Sequence, residues 1–253
     1  MFKLRNLWAL LGFVLLAAAW PHAQANAAAC TAGCSQVQNT TVFSGTSVSV
    51  TLTSVVAGHS VRGLVCYNGP TAMAMTVGGS SATSGGVAPS GGGYTCSVFN
   101  KINVSSGSVV VTGTATGTCV GCFLFAEEWP DTSTTGTMDG QNGTYLYVGA
   151  SGTSIPTGSF TTTGSSDSIE VFLLNIAWLG AATPPSGYAT SVNLSTSAGY
   201  QSAYITGVSA GSTNPAFVST AIYTDTWALG AGFTGVTGGG GGPPLRVLMG
   251  VGK

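Results

Sequence analysis

The chain has 253 residues, a formal net charge of −1 and few charged residues, 5% of the total. Apolar residues make up 44%, so the composition excludes an intrinsically disordered protein, which combines high charge with low hydrophobicity. The cations after residue 27 are Arg62, Lys101, Arg246 and Lys253, too few to neutralise a row of phosphates, and this excludes nucleic acid as a partner.

The start of the chain has the pattern of a secretory signal peptide. Lys3 and Arg5 precede an apolar run at 7–20, and candidate cleavage sites follow at 23–25 and 25–27. The apolar run is shorter than the ~20 residues of a comfortable membrane span, and no later run is long or apolar enough for one. We therefore predict a secreted protein, with the periplasm and the cell surface as alternative locations and a retained anchor as the lesser alternative.

Strand-forming segments begin with a strict alternation of polar and apolar residues at 47–53. A period of two residues predicts a strand with one buried face. Residues 78–93 are rich in Gly and Ser and are predicted to form a loop. The other predicted strands before residue 105 are 61–67, 72–77, 94–99 and 102–104.

The central feature of the sequence is the stretch 107–129, with apolar runs at 109–111 and 122–126. Gly and Thr residues between the runs favour a turn, so we predict a β-hairpin here. The second run ends in a group of charged and aromatic residues, namely Glu127, Glu128, Trp129 and Asp131.

The second half of the chain continues the strand pattern. The run 168–179 is long enough for a helix, but its Ile, Val, Phe and Trp residues favour a core strand. The remaining predicted strands are 145–148, 160–163, 190–194, 202–206 and 216–227. About twelve short strands without helical periodicity predict an all-β fold, a two-sheet antiparallel β-sandwich of the jelly-roll or concanavalin-like kind.

The domain organisation follows from these patterns. We assign residues 1–27 to the signal peptide, 28–234 to the β-sandwich and 235–253 to a Gly/Pro-rich linker with a short apolar tail. The tail at 245–249 has a strand-like composition, and it either docks as an added strand, on this domain or on a neighbouring subunit, or frays.

The six cysteines form an even set, which favours disulfides in an exported chain. Fifteen pairings are open in principle. Proximity in the sequence predicts Cys30–Cys34, Cys66–Cys96 and Cys119–Cys122. The alternative is a metal site made from the first and the last of these pairs, but no histidine lies near either pair.

The acidic residues at the end of the central stretch are candidate catalytic groups, because most glycosidases use two carboxyl groups across a bound sugar. Neighbouring strand residues point to opposite faces, so Glu127 and Glu128 cannot both line one cleft. The partner of either would be Asp131 or a distant acid such as Glu170. The alternatives are a structural Ca²⁺ held by Glu127 and Asp131, or a solvated strand end.

The histidine and the aromatic residues are further candidate site residues, and they do not indicate catalysis. His59 is the one histidine after the signal segment, and without a nucleophile motif it is interpreted as a solvated turn residue. Aromatic rings can stack on sugars, and the candidates for this role are Trp129, Trp227 and Tyr200.

Several motifs between about residues 46 and 235 carry a resemblance. They are the alternating strand at 48–52, the valine-rich strand at 109–117, the Ala-Glu-Glu-Trp ending at 126–129, and Ser-Ala-Tyr at 202–204 with Trp227. In these features the chain resembles a loose group of secreted bacterial and phage-associated β-sandwich proteins. The resemblance implies export and a jelly-roll or concanavalin-like fold, and it implies no activity.

These observations predict an extracellular structural or binding protein without catalysis or cofactor, a surface, appendage or virion component that recognises a glycan or a cell-surface polymer. One alternative is a secreted carbohydrate-active hydrolase that uses Glu127 or Glu128. The other is a homo-oligomer, a filament or coat subunit that docks through its C-terminal tail.

Overall fold

The computed structural model describes residues 24–28, 36–42, 46–68, 72–87, 94–116, 122–130, 137–149, 151–175, 182–194, 199–221 and 223–235. Within these ranges the chain forms strands and no helix, and every strand pair is antiparallel. No helix that could cross a membrane is found in this part of the chain. The predicted all-β class is confirmed.

The strands of the described residues are, in chain order, β1 (Gln24–Ala28), β2 (Gln36–Val42), β3 (Ser47–Val55), β4 (Ser60–Asn68), β5 (Met73–Val77), β6 (Ser80–Ser81), β7 (Thr83–Val87), β8 (Tyr94–Lys101), β9 (Gly107–Ala115) and β10 (Cys122–Trp129). They continue with β11 (Met138–Gly149), β12 (Ser154–Pro156), β13 (Phe160–Thr162), β14 (Asp167–Asn175), β15 (Ala182–Thr183), β16 (Ala189–Leu194), β17 (Gly199–Val208), β18 (Gly211–Thr213), β19 (Ala216–Ser219) and β20 (Tyr223–Phe233).

The strands form three larger sheets and two small ones. Sheet A has the order β1-β2-β10-β4-β8-β7, sheet B the order β3-β9-β5-β6, and sheet C the order β11-β20-β14-β17-β16. The small sheets are β12-β19-β15 and β13-β18. The described part of the chain thus has twenty strands in five sheets, where the sequence predicts about twelve in two, because short strands such as β6 and β18 carry no apolar pattern.

Sheet A lies between sheets B and C. On β10, Leu124 and Ala126 pack with the apolar residues of sheet B, whereas Phe123 and Phe125 pack with those of sheet C. All eight residues of β10 are buried. A strand covered on both faces has no polar side, which is why its sequence is continuously apolar before the two glutamates.

The outer face of sheet C is also covered. Val171 and Leu173 of β14 point away from sheet A and pack against Ile155 of β12 and Phe217 of β19. The small sheets therefore close a third core, and β14, like β10, is buried on both faces.

The hairpin predicted for 107–129 is wrong. β9 pairs with β3 and β5 in sheet B, whereas β10 pairs with β2 and β4 in sheet A, so the two strands lie in different layers. Their burial patterns explain the difference, because β9 buries alternate residues and β10 buries every residue. An alternating strand suits an outer sheet, and a fully apolar one suits a middle layer.

Two local predictions also need correction. Residues 80–81 and 83–87, predicted as loop, form the edge strands β6 and β7. Their Ser, Thr and Gly residues give no apolar alternation from which a strand could be predicted. Residues 102–104, predicted as strand, are irregular, and Asn103 has a positive φ of 54°. In contrast, the core-strand prediction for 168–179 agrees with β14; residues 176–181 lie outside the described ranges.

The disulfide Cys66–Cys96 is present and confirms that predicted pairing. The two residues lie opposite each other on β4 and β8, buried in the core between sheets A and C. Cys122 is also disulfide-bonded, and its partner lies outside the described residues. Several predictions concern residues that lie outside the described ranges. These residues are Cys30, Cys34, Cys119, the apolar part of the signal segment and the tail at 236–253.

Candidate functional site

A cluster of polar side chains lies inside the core between sheets A and C. Sheet A contributes Arg62 from β4 and Glu127 from β10, and sheet C contributes Glu170 from β14. All three are 0% exposed, in a region that is otherwise aromatic and aliphatic. Charged residues are seldom fully buried without partners, so the contacts of each define the site.

Both oxygens of Glu127 accept hydrogen bonds. Ser202 on β17 donates to Oε1 at 2.6 Å, and Ser191 on β16 donates to Oε2 at 3.1 Å. The indole Nε1 of Trp129 donates to Oε2 at 3.0 Å. Ser191 is the extra residue at a β-bulge between β16 and β17, and bulges often redirect a side chain in this way.

The guanidinium of Arg62 is held between two aromatic rings. It lies 4.2 Å from the ring centroid of Trp129 and 3.8 Å from that of Phe233. One terminal nitrogen donates to Oε2 of Glu170 at 3.4 Å, and the other donates to Oγ of Ser168 at 3.1 Å. The planar group is thus fixed by stacking and by directed hydrogen bonds, as Arg rather than Lys permits.

The environments of the two carboxyl groups shift their pKa values. Burial raises the pKa of Glu127, and the hydrogen bonds that it accepts oppose this rise. Burial raises the pKa of Glu170 well above the usual value, the negative charge of Glu127 raises it further, and Arg62 opposes the rise. The neutral acid is therefore the favoured form of Glu170, and the Arg62 cation balances the charge of the Glu127 carboxylate.

Neither acid is accessible to a sugar. The two carboxyl groups of glycosidases face a bound sugar and, in most of them, a water. Glu127 and Glu170 have no exposed surface, and each is held by side chains of the core. The geometry stabilises the packing of one sheet on the other, which is a structural use of a carboxyl pair.

Glu128 points to the opposite face of β10, as strand alternation predicts. Its Oε1 accepts hydrogen bonds from the backbone N–H of Val56, at 2.8 Å, and lies 2.7 Å from Nδ1 of His59. His59 is 17% exposed, so it is partly buried and paired rather than solvated as the sequence suggests. The pair attaches the turn before β4 to the end of β10.

The other predicted site residues do not form a cleft. Asp131 lies outside the described residues, and no group of three His, Cys, Asp or Glu side chains in the described ranges is placed to hold a metal ion. Trp129 is only 3% exposed, and its ring meets that of Tyr204 at 5.0 Å. Tyr200 stacks on Phe125 at 4.0 Å, and Trp227 is fully buried.

A second carboxyl pair was not predicted. Asp139 accepts hydrogen bonds from the backbone N–H and the hydroxyl of Thr163, at 2.5 and 2.8 Å, and Asp167 accepts from the N–H groups of Gly164 and Gly235, at 2.9 and 3.1 Å. Burial acts to raise the pKa of Asp139, but the hydrogen bonds that it accepts, chiefly from Thr163, lower it overall. The pair joins the ends of β11, β14 and β20.

One residue of the buried cluster was not predicted but could have been found from the sequence. Arg62 lies alone in the apolar run of β4, and an isolated charge in such a run indicates a buried partner. Ser191 and Ser202 gave no signal, because Ser and Thr occur along the whole chain.

The sequence matches no model of a known protein family. It also matches no curated protein. Among solved structures, a β-porphyranase of glycoside hydrolase family 86 from the human gut bacterium Bacteroides plebeius is 13% identical, with a TM-score of 0.24. The alignment covers 86% of this chain and 38% of that one, so the chain spans less than half of the length of that enzyme. This degree of similarity assigns neither fold nor activity.

Proposed function

We propose that the protein is an extracellular, non-catalytic structural or binding protein, a component of a surface, appendage or virion. The observation that carries the proposal is the complete burial of Glu127 and Glu170 in a cluster with Arg62. The acids with the strongest claim to glycosidase chemistry are used inside the protein, where no polysaccharide reaches them.

The layered architecture supports a passive role. We propose that sheets A, B and C are the layers of a β-sandwich of the jelly-roll or concanavalin-like kind, with sheet A in the middle. Residues on both faces of sheet A are committed to packing, which favours a rigid body over a catalytic cleft. The disulfide between Cys66 and Cys96 supports an oxidising location outside the cytoplasm.

The alternative, a carbohydrate-active hydrolase, is tested with the full chain and a panel of polysaccharides. We expect no new reducing ends from the wild type. We expect Glu127→Gln to lower the free energy of unfolding, because the amide replaces an acceptor of three donors. Reducing ends that form with the wild type and vanish in folded Glu127→Gln or Glu128→Gln would contradict the proposal.

A further inference from the structure

One end of sheet C carries an exposed aromatic side chain beside a carboxylate. Tyr147 on β11 is 68% exposed, the largest value among the large hydrophobic side chains of the described residues. The pairing of β11 with β20 has no shift between residues 141 and 149, and it sets Tyr147 opposite Asp225. Tyr147 is the one aromatic ring among the exposed large hydrophobic side chains of the described ranges.

The carboxylate is positioned by the core beneath it. The hydroxyl of Tyr145 donates to Oδ1 of Asp225 at 2.6 Å. The Tyr145 ring packs on Trp227, with centroids 4.9 Å apart, and Tyr94 meets the same indole edge-on at 5.4 Å. Because Trp227 is fully buried, Tyr145 and Asp225 rest on a rigid base.

The backbone and the protonation state also favour a preformed site. Asp225 has a φ of 50°, in the left-handed region that a non-glycine residue seldom adopts, and such conformations often occur at ligand sites. Burial raises the pKa of Tyr145 to about 12, and the hydrogen bond and charge of Asp225 contribute. Tyr145 therefore remains a donor at neutral pH, and the carboxylate keeps its orientation.

We propose that Tyr147, Tyr145 and Asp225 form a binding site for an uncharged glycan. The apolar C–H face of a pyranose ring stacks on Tyr147, and a sugar hydroxyl donates to the Asp225 carboxylate. The inference rests on the proposed function and gives it a ligand class. Trp227, predicted from the sequence to touch the ligand, instead supports the site from below.

The chemistry of the site selects this ligand class. A carboxylate accepts hydrogen bonds and donates none, so it matches the hydroxyl donors of a sugar. Its negative charge repels an acidic polysaccharide. Aromatic stacking requires an apolar face, which pyranose rings with axial hydrogens present.

The test is affinity electrophoresis of the full chain in native gels that contain galactomannan, xyloglucan, a soluble β-1,3-glucan or alginate. We expect at least one of the three uncharged polymers to retard the protein and the anionic alginate to have no effect. We expect Tyr147→Ala to weaken the binding about tenfold, and Tyr147→Phe to retain it, because the ring and not the hydroxyl stacks.

The controls separate binding from folding. Val218→Ala removes another exposed apolar side chain, on β19, and should leave retardation unchanged. Asp225→Asn should weaken binding, and each variant should keep its melting temperature if the effect is local. No retardation by any uncharged polymer, or retardation that Tyr147→Ala leaves intact, overturns this site. Cleavage of a polymer by the wild type instead overturns the non-catalytic function, so the two failures differ.

Discussion

Arg62 of sheet A pairs with Glu170 of sheet C at 3.4 Å, and neither side chain has any exposed surface. With Glu170 in its neutral form, the one negative charge of the cluster is on Glu127, and Arg62 supplies the one positive charge. An unpaired buried charge costs several kcal/mol, so this neutrality is a condition for the two sheets to pack. The proton on Glu170 therefore contributes to the stability of the fold.

The pH dependence of stability should reveal this proton. The pKa of Glu170 is raised above 4.5, first by burial and then by Glu127, so the folded state keeps a proton that the unfolded chain releases. The stabilisation is therefore complete below the unfolded-state pKa and is lost as the pH rises towards the folded-state pKa. We expect the free energy of unfolding to fall by up to about 1.4 kcal/mol per pH unit in that window.

The measurement is urea unfolding from about pH 5 to about pH 9 with wild type and Glu170→Gln. The amide has no titrating proton, so the variant should show a flatter profile. Val110→Ala, an exposed site on β9 without a titratable group, should keep the wild-type slope. An unchanged slope in Glu170→Gln would rule out a proton held by Glu170.

Arg62 should be essential for stability. Replacing it with Met leaves Glu127 as a buried charge without a cation, and we expect a loss of about 3–5 kcal/mol. Arg62→Lys should rescue little of this, because an ammonium cannot lie flat between Trp129 and Phe233. The measurement is the urea midpoint, with the partly buried Lys101→Met as control. Full stability in Arg62→Lys would contradict the role of stacking.

A side chain at position 63 should lower the stability of the protein. A Cβ at this position on β4 would lie 2.6 Å from Sδ of Met75 and 2.9 Å from the backbone oxygen of Phe125. Because the backbone cannot move aside as a side chain can, we expect Gly63→Ala to cost about 1–3 kcal/mol. Gly211→Ala, with no atom within 4 Å of its Cβ, is the matched control. Equal melting temperatures for the two variants would refute the close packing of β4.

The disulfide should contribute through the unfolded chain. Cys66 and Cys96 are 30 residues apart, and the loop-entropy estimate for that separation is about 3–4 kcal/mol. In urea unfolding, the double variant Cys66→Ala/Cys96→Ala should have a free energy of unfolding that is lower by that amount. Added reductant should then lower the stability of the variant less than that of the wild type. Equal stability of the double variant and the wild type would disprove this contribution.

Local patterns predicted the parts of the fold that depend on neighbouring residues. The alternation at 47–53 identifies β3 and its buried face, and strand geometry separates Glu127 from Glu128. The layer to which a strand belongs depends instead on partners far away in the chain. That is why β9 and β10 were joined in one hairpin, although they lie in different sheets.

The candidate site shows the same limit. The acidic residues of the central stretch were found by their rarity, but two of the donors to Glu127, Ser191 and Ser202, lie 64 and 75 positions away in the chain. The sequence does not distinguish a serine that donates to a buried carboxylate from the many other serines of the chain. Burial, which turns the three aromatic candidates inward, is likewise a property of the assembled layers.

The neutral cluster also limits how this protein can change over evolutionary time. A substitution at Arg62 or Glu127 alone leaves the charge of the other in the interior without a counter-charge, whereas replacing both together with Glu170 by apolar residues of similar volume costs little. Substitutions at Arg62 and Glu127 are therefore coupled. Descendants of this sequence should either inherit these two residues together or have lost them together, and the intermediate combinations should be rare.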